Sequence, residues 1–114
     1  GVNCYNVDQA AFDLADSDQF CLLASHQDQV MAMPPGAQQI ASNEHCEVAG
    51  MTFGEHILTF QGHPEFIPDY SREIMNLRHD MIGAERVAEG MASFETREHE
   101  GDRVARWMLA FLSR

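Results

Sequence analysis

The periodicity of the apolar residues changes once along this chain, near Pro68. Before it, apolar residues alternate with polar ones or gather in runs of four or five, the patterns of half-buried and buried strands. After it they recur at helical spacing. Residues 2–7 alternate, and residues 20–24 form a compact apolar run. Residues 38–41, 46–53 and 56–60 give three further strand candidates, the last two separated by Gly54-Glu55 as at a hairpin. Pro34-Pro35-Gly36 marks a turn. Residues 9–18 are acidic and Ala-rich, and fit a loop or a short helix. Ile74, Leu77, Met81 and Ile82 predict a first helix, capped by Asp69 or Ser71 and ended by Gly83. Arg86, Val87, Met91 and Phe94 predict a second. Val104, Trp107, Met108, Phe111 and Leu112 predict a third, starting near Asp102. Strands followed by helices describe an α+β domain if the unit is whole. They equally describe the second half of an α/β domain whose first βαβ units lie elsewhere.

With 114 residues and no internal repeat or linker, the chain reads as one domain. It carries a formal net charge of -11, and every basic side chain other than His is Arg. That balance argues against nucleic acid or an anionic membrane as partner, since phosphates reward basic patches. No apolar run is long enough to span a bilayer, and nothing near Gly1 resembles a signal peptide. The expectation is a cytoplasmic protein, with Gly1 at a cut in a longer sequence. Cys4, Cys21 and Cys46 are odd in number and widely spaced. They suggest no disulfide framework and a reducing compartment, with Cys4 and Cys21 as inert core thiols. His45 adjoins Cys46, but the spacing fits no tetrahedral metal signature. No metal or other cofactor is expected, and the scattered methionines read as core filler.

Two polar segments follow strand candidates: Ser25-His26-Gln27-Asp28-Gln29-Val30, and Phe60-Gln61-Gly62-His63-Pro64-Glu65-Phe66. In extended backbone, residues i and i+2 share a face, so Glu65 can reach the His63 imidazole. Pro64 also keeps His63 out of helical geometry. A carboxylate on one ring nitrogen sets the tautomer and leaves the other nitrogen to take a proton from a thiol or hydroxyl. The plainer reading is a loop His beside an exposed Glu; for His26 and Asp28 it is local turn hydrogen bonding. In parallel α/β sheets, sites form beyond the carboxyl ends of strands, which would bring the two segments to one edge.

Taken in order with Met33-Pro34-Pro35-Gly36-Ala37 and Ile40-Ala41-Ser42, these segments resemble the C-terminal half of a class I glutamine amidotransferase domain, of the GMP-synthase-like stand-alone type. The match runs from Gly1 to about Phe66; the helical tail matches less specifically. The resemblance implies a three-layer, flavodoxin-like α/β fold, present here as its C-terminal half. It also implies a Cys-His-Glu triad that hydrolyses the glutamine side-chain amide and releases ammonia. His63 would be the general base and Glu65 its orienter, while the main chain at Ser25 and His26 would help hold the substrate.

In that family the nucleophilic Cys occupies a Gly-x-Cys-x-Gly turn between a strand and a helix. None of Cys4, Cys21 or Cys46 has flanking glycines, so the nucleophile is expected outside this chain and the piece alone is expected to be inactive. The ligand implied is glutamine or another γ-glutamyl small molecule, with an unspecified synthase or acceptor partner. Self-association is a further expectation, because half of a parallel sheet leaves strand edges and apolar faces uncovered. Two rivals stay open: a γ-glutamyl peptidase of the same family, and a non-catalytic amidotransferase-like binding module.

Overall fold

The computed structural model describes residues 1–26 and 28–114. Five strands come first: β1 (Val2–Val7), β2 (Gln19–Leu23), β3 (Ala37–Ser42), β4 (Gly50–Phe53) and β5 (Ile57–Phe60). Four helices follow: α1 (Pro68–Leu77), α2 (His79–Ile82), α3 (Ala84–Thr96) and α4 (Gly101–Leu112). The strands form one sheet in the order β2-β1-β3-β4-β5. The fold is therefore a small α/β arrangement, strands before helices, and all its strand pairs are antiparallel rather than parallel. The connections explain this difference. A parallel crossover needs a dozen or more residues, usually helical, whereas β4 and β5 are joined by a three-residue turn and, among the described residues, no helix lies between any two strands.

The sheet curls. Just beyond β5, His63 forms an antiparallel bridge with Leu23 of β2, so the two ends of the strand order approach one another. One face is filled by Tyr5, Phe20, Leu22, Ile40 and Ala41, against which α4 sets Val104, Trp107 and Phe111. Phe20 lies at the middle of this cluster. Its ring centroid is 5.5 Å from that of Trp107 and 5.6 Å from that of Phe60, both edge-on, an arrangement that aromatic quadrupoles favour. The buried indole N–H of Trp107 donates to Asp16 Oδ1 at 3.1 Å. Val2 and Leu23, out of phase with these residues along their strands, are fully buried on the opposite face. There α3 abuts the start of β1, and Ser93 Oγ accepts the Val2 N–H at 2.8 Å.

Several local expectations are corrected. Cys4 and Cys21 are not free thiols but a disulfide. They face each other directly in the β1–β2 register, which the 17-residue separation conceals in the sequence. The bond also removes the thiol argument for a reducing compartment. Only Cys46 is free; it is buried, and burial pushes its thiol pKa up. The strand expected from residue 46 starts at Gly50, because Asn43 turns the chain and its Oδ1 accepts the N–H groups of His45 and Cys46. Residues 9–18 form turns. Neither Asp69 nor Ser71 caps α1: Ile67 is the N-cap, Pro68 opens the helix, and Asp69 pairs with Arg72. The single helix expected up to Gly83 breaks at Arg78 into α1 and α2. Among the described residues, no helix is long and apolar enough to cross a membrane.

Candidate functional site

Two glycines bring the His63 segment into place. Gly62 lies against Leu22 so closely that a Cβ there would sit 2.8 Å from the Leu22 Cβ. Gly101, at the start of α4, lies against the carbonyl of Pro64, which a Cβ would approach to 2.2 Å. Between these contacts the backbone of His63 is tied to β2, its N–H donating to Leu23 O at 2.8 Å. The chain then turns, with the Phe66 N–H bonded to His63 O at 3.3 Å.

The expected contact between His63 and Glu65 is present: Nδ1 and Oε1 are 2.6 Å apart. It is made across this turn, however, and not along one face of an extended strand. Phe66 stacks on the imidazole with ring centroids 4.1 Å apart and planes 5° from parallel, and Tyr70 meets Phe66 edge-on. The ring of His63 is thus held by a face and by one nitrogen. Burial tends to raise the Glu65 carboxyl, but the hydrogen bond from His63, helped by backbone and by the charges of His63 and His99, outweighs it and holds the carboxyl below its ordinary value. An ionised carboxylate can only accept, so Nδ1 of His63 carries the proton and Nε2 is left as the basic nitrogen. About a third of the His63 side chain is open to solvent.

Ser25 and His26 emerge from the end of β2, two and three residues past the Leu23–His63 bridge, and both are exposed. The antiparallel bridge joins His63 to Leu23, so the second polar segment pairs with the end of β2 just before the first. Their side chains nonetheless line different depressions. His26 borders a groove of about 920 Å³ together with Asn3, Arg86, Ser93 and Arg97. Glu65 and Phe66 border another of about 950 Å³ with His99, Arg103 and Arg106. Gln27 lies outside the described residues. No group of three or more His, Cys, Asp or Glu is gathered to hold a metal ion among the described residues.

Sequence reasoning missed Phe66, His99 and Glu100. Phe66 stood within the quoted motif without a role. His99 and Glu100 sit in a charged run just ahead of Gly101, which marks a helix start but gives no sign of what the run touches.

The chain resembles several known proteins in sequence. The chain is 29% identical to the Saccharomyces cerevisiae protein YLR126C, provisionally named a glutamine amidotransferase, over 96% of this chain and 44% of that one. It is 39% identical to gamma-glutamyl peptidase 3 of Arabidopsis thaliana over 47% of this chain and 20% of that protein. It is also 39% identical to the glutamine-hydrolyzing GMP synthase of Herminiimonas arsenicoxydans, over 52% of this chain and 12% of that one. No protein-family model and no solved structure matches. The chain thus spans less than half the length of the curated relatives it matches, and is similar to part of proteins named as glutamine amidotransferases and gamma-glutamyl peptidases.

Proposed function

We propose, for a chain whose relatives are named as glutamine amidotransferases and γ-glutamyl peptidases, that it supplies the base-and-orienter part of a Cys-His-Glu triad acting on a γ-glutamyl amide. The observation that carries this reading is the 2.6 Å contact between His63 Nδ1 and Glu65 Oε1. In this reading the curled sheet and its helices are the C-terminal part of a three-layer, flavodoxin-like domain.

The chemistry follows from the tautomer. Nε2 of His63 takes the proton of a cysteine thiol, and the thiolate attacks the γ-carbonyl carbon. Glu65 stabilises the imidazolium that forms. The tetrahedral adduct collapses as His63 returns the proton to the leaving nitrogen, so ammonia or an amine departs and a thioester remains. His63 then deprotonates a water, which hydrolyses the thioester and regenerates the thiol. The cysteines described here do not suit the nucleophile's part: Cys4 and Cys21 are bonded to each other, and Cys46 is buried with a raised pKa. The nucleophile is therefore assigned to sequence outside this chain. Ser25 and His26 are assigned to substrate holding, through the main chain next to the Leu23–His63 bridge.

The test combines the chain with a segment bearing a Gly-x-Cys-x-Gly turn, or uses a longer natural protein containing both. Ammonia release from glutamine and amine release from a γ-glutamyl dipeptide are then compared. The 114 residues alone should release neither. In the complete enzyme, His63→Ala should abolish turnover and Glu65→Gln should reduce it less, since a thiol keeps some nucleophilicity when its base is poorly oriented. Near-normal turnover by His63→Ala would reject the triad assignment. Binding of γ-glutamyl ligands with no hydrolysis in the complete protein would favour a non-catalytic module.

A further inference from the structure

We infer that His99 is a positioning residue for the His63–Glu65 pair, holding the edge of β2 to which His63 is hydrogen-bonded. The inference rests on the triad reading above and adds a residue that the reading does not contain.

Four contacts converge on this edge. Leu23 lies in the middle: its N–H donates to His99 Nδ1 at 3.0 Å, while its carbonyl accepts the His63 N–H at 2.8 Å. One peptide step therefore separates the side chain of His99 from the backbone of His63. Two residues earlier, Glu100 binds Cys21 at both ends, its N–H to Cys21 O at 2.8 Å and its Oε1 to the Cys21 N–H at 3.0 Å. The loop before α4 thus completes the hydrogen bonding of β2 on the side away from β1. The N–H groups of Cys21 and Leu23 are satisfied in this way, as folded proteins require of shielded backbone donors.

The ring of His99 also has a defined chemical state. Nδ1 accepts, so it carries no proton, and the hydrogen of the neutral ring belongs on Nε2. That nitrogen is buried and has no partner among the described residues. It lies at the packing point where α4 meets the His63 segment, since a Cβ on Gly101 would come within 2.6 Å of it and 2.2 Å of Pro64 O. The charged groups around this point are Glu65, Glu98, Glu100, Asp102, Arg103 and Arg106, with Arg103 Nη1 paired to Glu100 Oε2 at 3.1 Å. His99 is thus linked to the pair through Leu23, whose carbonyl holds the backbone of His63, and its Nε2 lies beside the point where Gly101 packs on Pro64.

The experiment uses the 114-residue chain itself, labelled for NMR, with His99→Asn and His99→Leu. Asn Oδ1 replaces Nδ1 as acceptor for the Leu23 N–H; Leu fills the space without an acceptor. In the wild type, long-range proton–nitrogen spectra should show His99 protonated on Nε2. His99→Leu should speed exchange of the Leu23 amide at least tenfold and move the Glu65 carboxyl titration up towards an ordinary carboxylate. His99→Asn should keep the Leu23 amide protected and raise the Glu65 titration less than His99→Leu does, since both changes remove the imidazole but only Leu also releases the edge of β2. If His99 acted by charge alone, both variants would shift Glu65 equally, and that equality overturns the inference, as does a wild-type His99 protonated on Nδ1. If His99→Leu fails to fold, the wild-type tautomer and the Asn variant still decide. None of these readouts uses turnover. A complete enzyme that is silent while showing this pattern counts against the proposed reaction and not against the role of His99.

Discussion

Gly101→Ala tests how the fold holds the site, because two physical effects oppose each other there. In an ordinary helix the change is favourable by about 1 kcal/mol. Here the new Cβ would lie 2.2 Å from Pro64 O and 2.6 Å from His99 Nε2. The first distance is roughly 1.3 Å inside an ordinary contact of about 3.5 Å, found by subtracting 2.2 from 3.5. A backbone oxygen cannot rotate away, so the cost falls near the upper end of the overpacking range, about 3 kcal/mol. The net destabilisation is then about 2 kcal/mol. At about 2.1 cal/mol/K of unfolding entropy per residue, 114 residues give about 0.24 kcal/mol/K, and the melting temperature should fall by about 8 °C. Calorimetry of the variant beside Ala110→Gly, an exposed position of α4, supplies the control. That change should lower the melting temperature by about 4 °C through helix propensity alone. The variant should also displace Pro64 and lengthen the His63–Glu65 contact, visible as a changed environment for the His63 ring. A Gly101→Ala protein that melts at or above the wild type would show that helix propensity wins and that α4 does not press on the His63 turn.

Other outcomes follow from the same contacts. Since Glu65 has a depressed folded-state pKa, its contribution to stability is present above the ordinary carboxylate value and is lost as pH falls through the folded value. A carbon-13 titration of its carboxyl should therefore have a midpoint below that of an exposed Glu, and a higher midpoint rejects the His63 bond. Reducing the Cys4–Cys21 bond with a dithiol, or replacing both residues by Ala, should cost about 3 kcal/mol for a loop of this 17-residue separation. Denaturant midpoints that coincide with and without reductant would contradict the pairing.

The order of the elements was legible in the sequence because it depends on local pattern. Alternation in residues 2–7 and the apolar run at 20–24 give strands wherever they are placed. Helical spacing after Pro68 gives helices, with Gly83 between two of them and the last starting within a residue of Asp102. His63 and Glu65 were legible for a similar reason: two residues apart across a proline, they meet in a turn or in an extended segment alike, so the wrong local geometry still led to the right contact.

What depends on partners distant in sequence was decided only by the tertiary structure. Strand direction follows from which edges meet. The same strands would suit a parallel sheet if the connections allowed it, and nothing in residues 20–24 marks Leu23 as the meeting point of His63 and His99. The disulfide arises because Cys4 and Cys21 fall opposite each other once β1 and β2 pair, a matter of register and not of spacing. Likewise, His99 is an ordinary residue of a charged loop until α4 packs beneath the sheet and presses Gly101 against Pro64. Local pattern chooses each element through backbone sterics and the burial of one face. The contacts that hold the candidate site join residues tens of positions apart, up to 79 between Cys21 and Glu100, and only packing in three dimensions brings those together.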